Sequence, residues 1–250
     1  MRAKLGPRVG DPLDPLADKL LRLLPEDVDG MAFMHSSTPG RYIAALTCSG
    51  RPSHVLKVGT RDDQRLRNEG EVLTRLPSLG LPFHVPELLF ADFVGDHFVV
   101  MSRAWTNCRR AELLSRDELL DITTALAGPG NGTSRLGHGD LAPWNILRTH
   151  QGLGILDWES ASPARTPLWD AVHYLVQAGA HLGWIDARSV VRELTGPQGT
   201  LAQLATRIGC PRCEIDRTLR SYFTAVPATN IRRVRDFRGD VASKLGLAVI

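Results

Sequence analysis

One stretch limits most strongly what this chain can fold into: Leu136 to Glu159, which reads LGHGDLAPWNILRTHQGLGILDWE. Two short apolar runs, Asn145-Ile146-Leu147 and Leu153-Gly154-Ile155-Leu156, flank the polar segment Arg148-Thr149-His150-Gln151-Gly152. Apolar runs around a polar, glycine-closed break predict the two strands of a hairpin. Asp140 precedes the first strand, Asn145 stands at its start and Asp157 follows the second. The hairpin therefore brings three oxygen-bearing side chains to one end. Phosphoryl transfer from a magnesium nucleotide needs such a set. One carboxylate orients the attacking hydroxyl, while a carboxamide and a second carboxylate hold Mg2+, a hard ion that prefers oxygen ligands.

At these residues the sequence resembles a known family. His138-Gly139-Asp140, Asn145 five residues on, and Ile155-Leu156-Asp157-Trp158-Glu159 resemble the catalytic and metal-binding segments of the aminoglycoside phosphotransferase and choline kinase group, relatives of the protein kinases. The resemblance covers about Met31 to Leu182. It implies ATP as phosphate donor, Asp140 as the catalytic aspartate, and Asn145 and Asp157 as the Mg2+ ligands. It also implies that His138 supports the loop through hydrogen bonds rather than acting as a base. Asp170, after the Pro167-Leu168 pair, matches an aspartate that braces the catalytic loop. Glu159 keeps two readings, a second metal ligand or a brace. Trp144 and Trp158 read as core.

Composition bounds the rest. A chain of 250 residues suits one large domain or two small lobes. Hydrophobic content of 43% and charged content of 23% are ordinary for a globular protein, and a formal charge of +3 is too small to argue for nucleic acid. No apolar run approaches the roughly 20 residues of a membrane span. Met1 to Gly10 carries three basic residues with no apolar run after them, so a cytoplasmic location is expected. Cys210 and Cys213 form a lone C-x-x-C without the second ligand pair that zinc needs, and read as ordinary thiols near a helix start.

Taken in order, residues 1–25 read as a tail and a short helix, Asp11 to Leu24, stopped by Pro25. Three strands follow, Met31–His35, Tyr42–Cys48 and His54–Val58. The turn between the first two holds Ser36, Ser37, Thr38 and one glycine, Gly40, so hydroxyls stand where a phosphate-covering loop usually has glycines. Lys57 in Val55-Leu56-Lys57-Val58 is, by the resemblance, the lysine on the α and β phosphates. Its acidic partner is expected on the helix Arg61 to Leu76. Residues two apart lie on opposite helix faces, so Glu69 and Glu71 cannot both point inward, and the resemblance implies Glu69 as the partner. Leu88–Phe93 and His97–Ser102 form a hairpin whose second strand leads to the nucleotide hinge, where Met101, Ser102, Arg103 and Ala104 would line the adenine slot through backbone groups.

The segment before His138 is short, with one helix at Ser115–Ala127. After Asp157 come helices at Ala171–Leu182, Asp186–Leu194, Pro197–Ile208, Glu214–Ala225 and about Asn230–Leu247. The fold class expected is α+β: a two-lobed protein-kinase-like fold with an N-terminal antiparallel sheet carrying one helix and a mainly helical C-terminal lobe. Residues 1–102 would bind nucleotide, and residues 103–250 would carry catalysis and the small-molecule hydroxyl substrate. From Ser160 to Ile250 there are twelve Arg and Lys against seven Asp and Glu. A basic lobe suits a neutral or anionic sugar-like acceptor better than a polycationic aminoglycoside. The alternatives are an aminoglycoside or amino-alcohol kinase, and a nucleotide-binding pseudokinase acting as an interaction partner.

Overall fold

A computed structural model of the chain describes residues 19–34, 36, 38–128, 136–225 and 231–247. The expected tail, most of the helix at Asp11–Leu24, His35, Ser37 and Asn230 lie outside the described residues. Two compact units are present, Met1–Leu79 with Val85–Cys108, and Gly80–His84 with Arg109–Ile250.

The first unit is a five-stranded antiparallel sheet: β1 (Gly30–Met34), β2 (Tyr42–Cys48), β3 (Arg51–Thr60), β4 (Leu88–Val94) and β5 (His97–Arg103), in the order β1-β2-β3-β5-β4. The alternation of strand side chains decides its layers. Leu56, Val58, Val99 and Met101 point to one face and form a core cluster with Leu20, Leu46 and Val94, on which Leu23 and Leu24 pack. Lys57 lies in register with Val100 of β5 and so points to the other face. Helix α1 (Gln64–Arg75) covers that face with Leu66, Val72 and Leu73. Gly70 permits the close approach, since a Cβ there would lie 2.9 Å from the Ala91 Cβ. The sheet with one helix is the N-terminal architecture expected.

Several boundaries differ from the sequence reading. Strand β3 is longer than His54–Val58, because Arg51 and Pro52 still pair with Cys48 and Thr47. Helix α1 starts at Gln64 rather than Arg61, because Asp63 is its cap and accepts a hydrogen bond from the Leu66 N–H at 3.0 Å. The same carboxylate takes two bonds from the Arg41 guanidinium, Nε to Oδ2 at 2.8 Å and Nη2 to Oδ1 at 2.7 Å. Arg41 and Asp63 are both nearly inaccessible, with side chains 4% and 9% exposed.

The second unit is mainly helical, with a three-stranded sheet β6 (Arg109–Arg110), β7 (Ile146–Thr149) and β8 (Gly152–Ile155). The hairpin β7–β8 was expected; β6, which is only two residues long, was not. Helix α2 (Arg116–Ala127) begins with a reciprocal capping box between Ser115 and Glu118. Helix α3 (Pro167–Ala180) is buried along its whole length and packs against α2, α4 (Ala187–Thr195), α5 (Thr200–Arg207), α6 (Arg212–Ala225) and α7 (Arg232–Lys244). Helix α5 starts at Thr200 rather than Pro197, since the Pro197–Gly199 segment closes a turn with Gly199 N–H on Gly196 O at 2.9 Å. Among the described residues no helix is long and apolar enough to cross a membrane.

The Arg41–Asp63 pair gives the first unit an acid-sensitive joint. Burial raises the Asp63 carboxyl, but the Arg41 guanidinium and the Leu66 N–H outweigh it, and the net direction is downward. A depressed carboxyl contributes stability above its unfolded pKa of about 3.9, which is lost as pH falls through the lower folded value. Asp63→Asn keeps a cap but leaves Arg41 buried without its anion. It should cost on the order of 3 kcal/mol at pH 7 and flatten the fall of Tm below about pH 4. A wild-type Tm at neutral pH, measured by calorimetry, would contradict this account of the joint.

Candidate active site

In the first unit Lys57 Nζ donates to both carboxylate oxygens of Glu69, each at 2.8 Å. Glu69 is buried on the sheet side of α1, with its side chain 4% exposed, whereas Glu71 is exposed. Two donors on one carboxylate fix the direction of the lysine stem. The Ser36 to Gly40 turn is closed on itself. Ser36 Oγ accepts the Thr38 N–H at 3.2 Å and donates to Thr38 O at 3.3 Å. The Ser36 hydroxyl is thus engaged with Thr38. Met101 is packed in the core cluster. The Arg103 guanidinium is held by Glu87 at 2.7 Å, which raises its pKa.

The second unit assembles the catalytic-loop residues on a run of hydrogen bonds. Asp170, in the first turn of α3, accepts the His138 N–H through Oδ2 and the Gly139 N–H through Oδ1, both at 2.7 Å. Gly139 has φ 83°, and the Ser160 carbonyl leaves no room for a Cβ there. Glycine is required on both counts. His138 Nε2 bonds to Leu156 O at 2.9 Å, and its Nδ1 accepts the Asp140 N–H at 3.3 Å. A carbonyl only accepts, so the ring is the Nε2–H tautomer and its other nitrogen is occupied. Burial also pushes its pKa down. His138 is therefore a neutral support for the loop, its ring tilted against the buried Trp158 with centroids 4.6 Å apart.

Asn145 does not open strand β7 as expected; it ends a 3-10 turn, Pro143–Asn145, just before it. Its Nδ2 donates to Asp140 O at 2.9 Å, and its backbone carbonyl accepts the Leu156 N–H at 2.8 Å. The first bond turns the carboxamide oxygen away from the loop carbonyl. Asp157 sits in the left-handed region, φ 63° and ψ 62°, at the start of the turn Trp158–Ser160, and its side chain does not cap that turn. A non-glycine residue held there is a strained position of the kind that recurs at functional sites. A carboxamide oxygen, the Asp157 carboxylate and the buried carboxylate of Glu159 are a donor set of hard oxygens. It fits Mg2+.

Sequence reasoning missed one partner of Asp140. His173 Nε2 lies 2.8 Å from Asp140 Oδ1, and the Tyr222 hydroxyl lies 3.2 Å from His173 Nδ1. The available signal was the spacing Asp170-x-x-His173, which puts both side chains on one face of α3 a turn apart. Tyr222 comes from α6 and carried no such signal. Trp144, expected as core, is half-buried and meets the His181 ring edge-on at 5.1 Å.

This fold, with its loop from His138 to Glu159, defines a protein-kinase-like phosphotransferase architecture. Residues 101–189, which hold Asp140, Asn145 and Asp157, match the phosphotransferase enzyme family (APH). That match and the fold uphold the aminoglycoside phosphotransferase and choline kinase-like resemblance read from the sequence. No relative among the curated proteins matches the chain. Among solved structures it is similar to aminoglycoside phosphotransferase APH(3'')-Id from Streptomyces rimosus ATCC10970 in complex with ADP and streptomycin. That match has a TM-score of 0.56 and 13% identity over 82% of this chain and 95% of that one. The GDP and kanamycin complex of APH(2")-IIia matches with a TM-score of 0.54 and 13% identity, over 93% and 96% of the two chains. At such identities the likeness shows the fold.

The pairing of Lys57 sets the first functional test. Lys57→Ala and Glu69→Ala should each weaken Mg-ATP binding about tenfold, the scale of one charged hydrogen bond, while Glu71→Ala leaves it unchanged. Titration calorimetry measures this directly, and sensitivity at Glu71 instead of Glu69 would contradict the assignment.

Proposed function

We propose that the chain is an ATP-dependent phosphotransferase that moves the γ-phosphate to a hydroxyl of a small molecule, sugar-like or a glycoconjugate rather than an aminoglycoside. The observation that carries the reading is the tie between Asn145 Nδ2 and Asp140 O. It supports the reading because it ties the Asn145 carboxamide to the backbone of Asp140 within one short loop. In this reading Asp140 accepts a hydrogen bond from the acceptor hydroxyl and takes its proton late, so that it contributes mainly by orientation. Asn145 and Asp157 hold Mg2+, which when bound neutralises charge on the leaving phosphate. Lys57, directed by Glu69, grips the α and β phosphates. The ADP and GDP bound in the similar structures support a purine nucleotide as donor.

The acceptor class follows from charge. Part of the basic surplus of the C-terminal helices is balanced locally, as in Arg217–Glu214 at 2.6 Å and Arg232–Asp236 at 3.5 Å. The surplus that remains suits a neutral or anionic polyhydroxyl compound better than a polycation. The alternative acceptors, aminoglycosides and amino alcohols, stay in the test, since the similar structures hold kanamycin and streptomycin.

Two measurements test this reading. Asp157→Asn should lower Mg-dependent ADP release by at least about 100-fold with the Tm unchanged, because the residue supplies charge rather than packing. Unchanged turnover would remove Asp157 from the metal site. A screen of ATP consumption over sugars, amino alcohols and aminoglycosides should give saturable turnover with a sugar-like compound. Saturable turnover with kanamycin-like compounds alone would overturn the acceptor assignment.

A further inference from the structure

The contact of His173 with Asp140 has no counterpart in the set of residues read from the sequence, and its surroundings are specific. The Asp140 side chain is one-third exposed, while that of His173 is only 9% exposed. The imidazole is thus a fixed wall behind a carboxylate that solvent and substrate can reach. A carboxylate only accepts, so the bond at 2.8 Å puts a proton on His173 Nε2. His173 Nδ1 then accepts from the Tyr222 hydroxyl at 3.2 Å. Tyr222 is completely buried, and burial pushes its phenol well up, so it keeps the proton it donates. Trp169 meets the Tyr222 ring edge-on at 5.0 Å, and the Arg238 guanidinium lies 6.0 Å from the ring centroid.

The spacing explains why the imidazole has one orientation. Asp170, His173 and Gln177 recur at three and four residues on α3 and share a face of the helix. Asp170 holds the backbone of His138 and Gly139, just before Asp140. His173, one turn on, reaches the Asp140 side chain. One helix face therefore sets both the backbone entering Asp140 and the rotation of its carboxylate.

We propose that His173, oriented by Tyr222, is a positioning residue for Asp140: by engaging Oδ1 it fixes the carboxylate plane and so the direction from which Oδ2 meets the acceptor hydroxyl. The inference rests on the reading of Asp140 as the orienting base. It assigns the His173–Tyr222 pair to the chemical step and not to nucleotide binding.

The test is ADP release from Mg-ATP, with water as acceptor, for wild type, His173→Ala, His173→Gln and Tyr222→Phe, with the Tm of each. A carboxylate freed to rotate loses orientation, so His173→Ala should lower kcat about 10- to 100-fold with the KM for ATP unchanged. His173→Gln presents an amide N–H at a similar reach and should recover to within about fivefold of wild type. Tyr222→Phe, which removes only the hydroxyl, should fall between the two. Should Ala and Gln lower kcat alike, or should either raise the KM for ATP instead, His173 is packing and the inference is overturned. A wild-type kcat in His173→Ala overturns it too, leaving the phosphotransfer reading in place. Absence of ADP release from wild type itself would overturn that reading, and this inference with it.

Discussion

Two backbone N–H groups, those of His138 and Gly139, end on one buried carboxylate, Asp170. Burial of that carboxylate is costly and pushes its pKa up, while the two N–H bonds favour the charged form. The remaining loop bonds follow from this one. With the backbone at 138–139 fixed, the His138 ring reaches Leu156 O, and Leu156 N–H reaches Asn145 O. Asn145 closes the circuit on Asp140 O. Removing one buried acceptor would leave two donors unsatisfied, each at a cost of about 1–3 kcal/mol.

Helix α3 can carry this carboxylate because it is covered on every side by the other helices of the second unit. Thr166 caps it through the Leu168 N–H and Pro167 occupies its first turn, so its start, where Asp170 lies, is well determined. An acidic residue in the first turn also matches the positive end of the helix dipole. The His138 ring rests on Trp158, whose indole N–H is satisfied by Ile155 O at 3.0 Å and whose ring stacks with Phe83. The loop thus has an apolar floor as well as a polar anchor. The strain at Asp157 is placed next to this floor, where packing over-determines the backbone.

Much of this was legible in the chain because it is local. The hairpin, the helix starts near Ser115 and Asp186, and the periodicity of the helices rest on residues a few positions apart. The choice of Glu69 over Glu71 was also legible, since two residues of helix turn one carboxylate in and the other out, and the resemblance implies Glu69. The rest depends on long-range placement. His173 meets Asp140 across 33 residues and Tyr222 meets His173 across 49, and no local pattern ties an α6 tyrosine to a catalytic loop. Asn145 was placed on the strand because a 3-10 turn of three residues leaves no periodic trace.

The central claim is that Asp170 holds the loop from His138 to Glu159 assembled. Amide hydrogen exchange of wild type and Asp170→Ala, followed by NMR at His138, Gly139 and Leu156, tests it most directly. The account predicts slow exchange at all three in wild type. In the variant, exchange at His138 and Gly139 should be at least about tenfold faster, while the amides in the middle of α3 keep their protection. Protection at His138 and Gly139 that survives the loss of Asp170 would contradict the account.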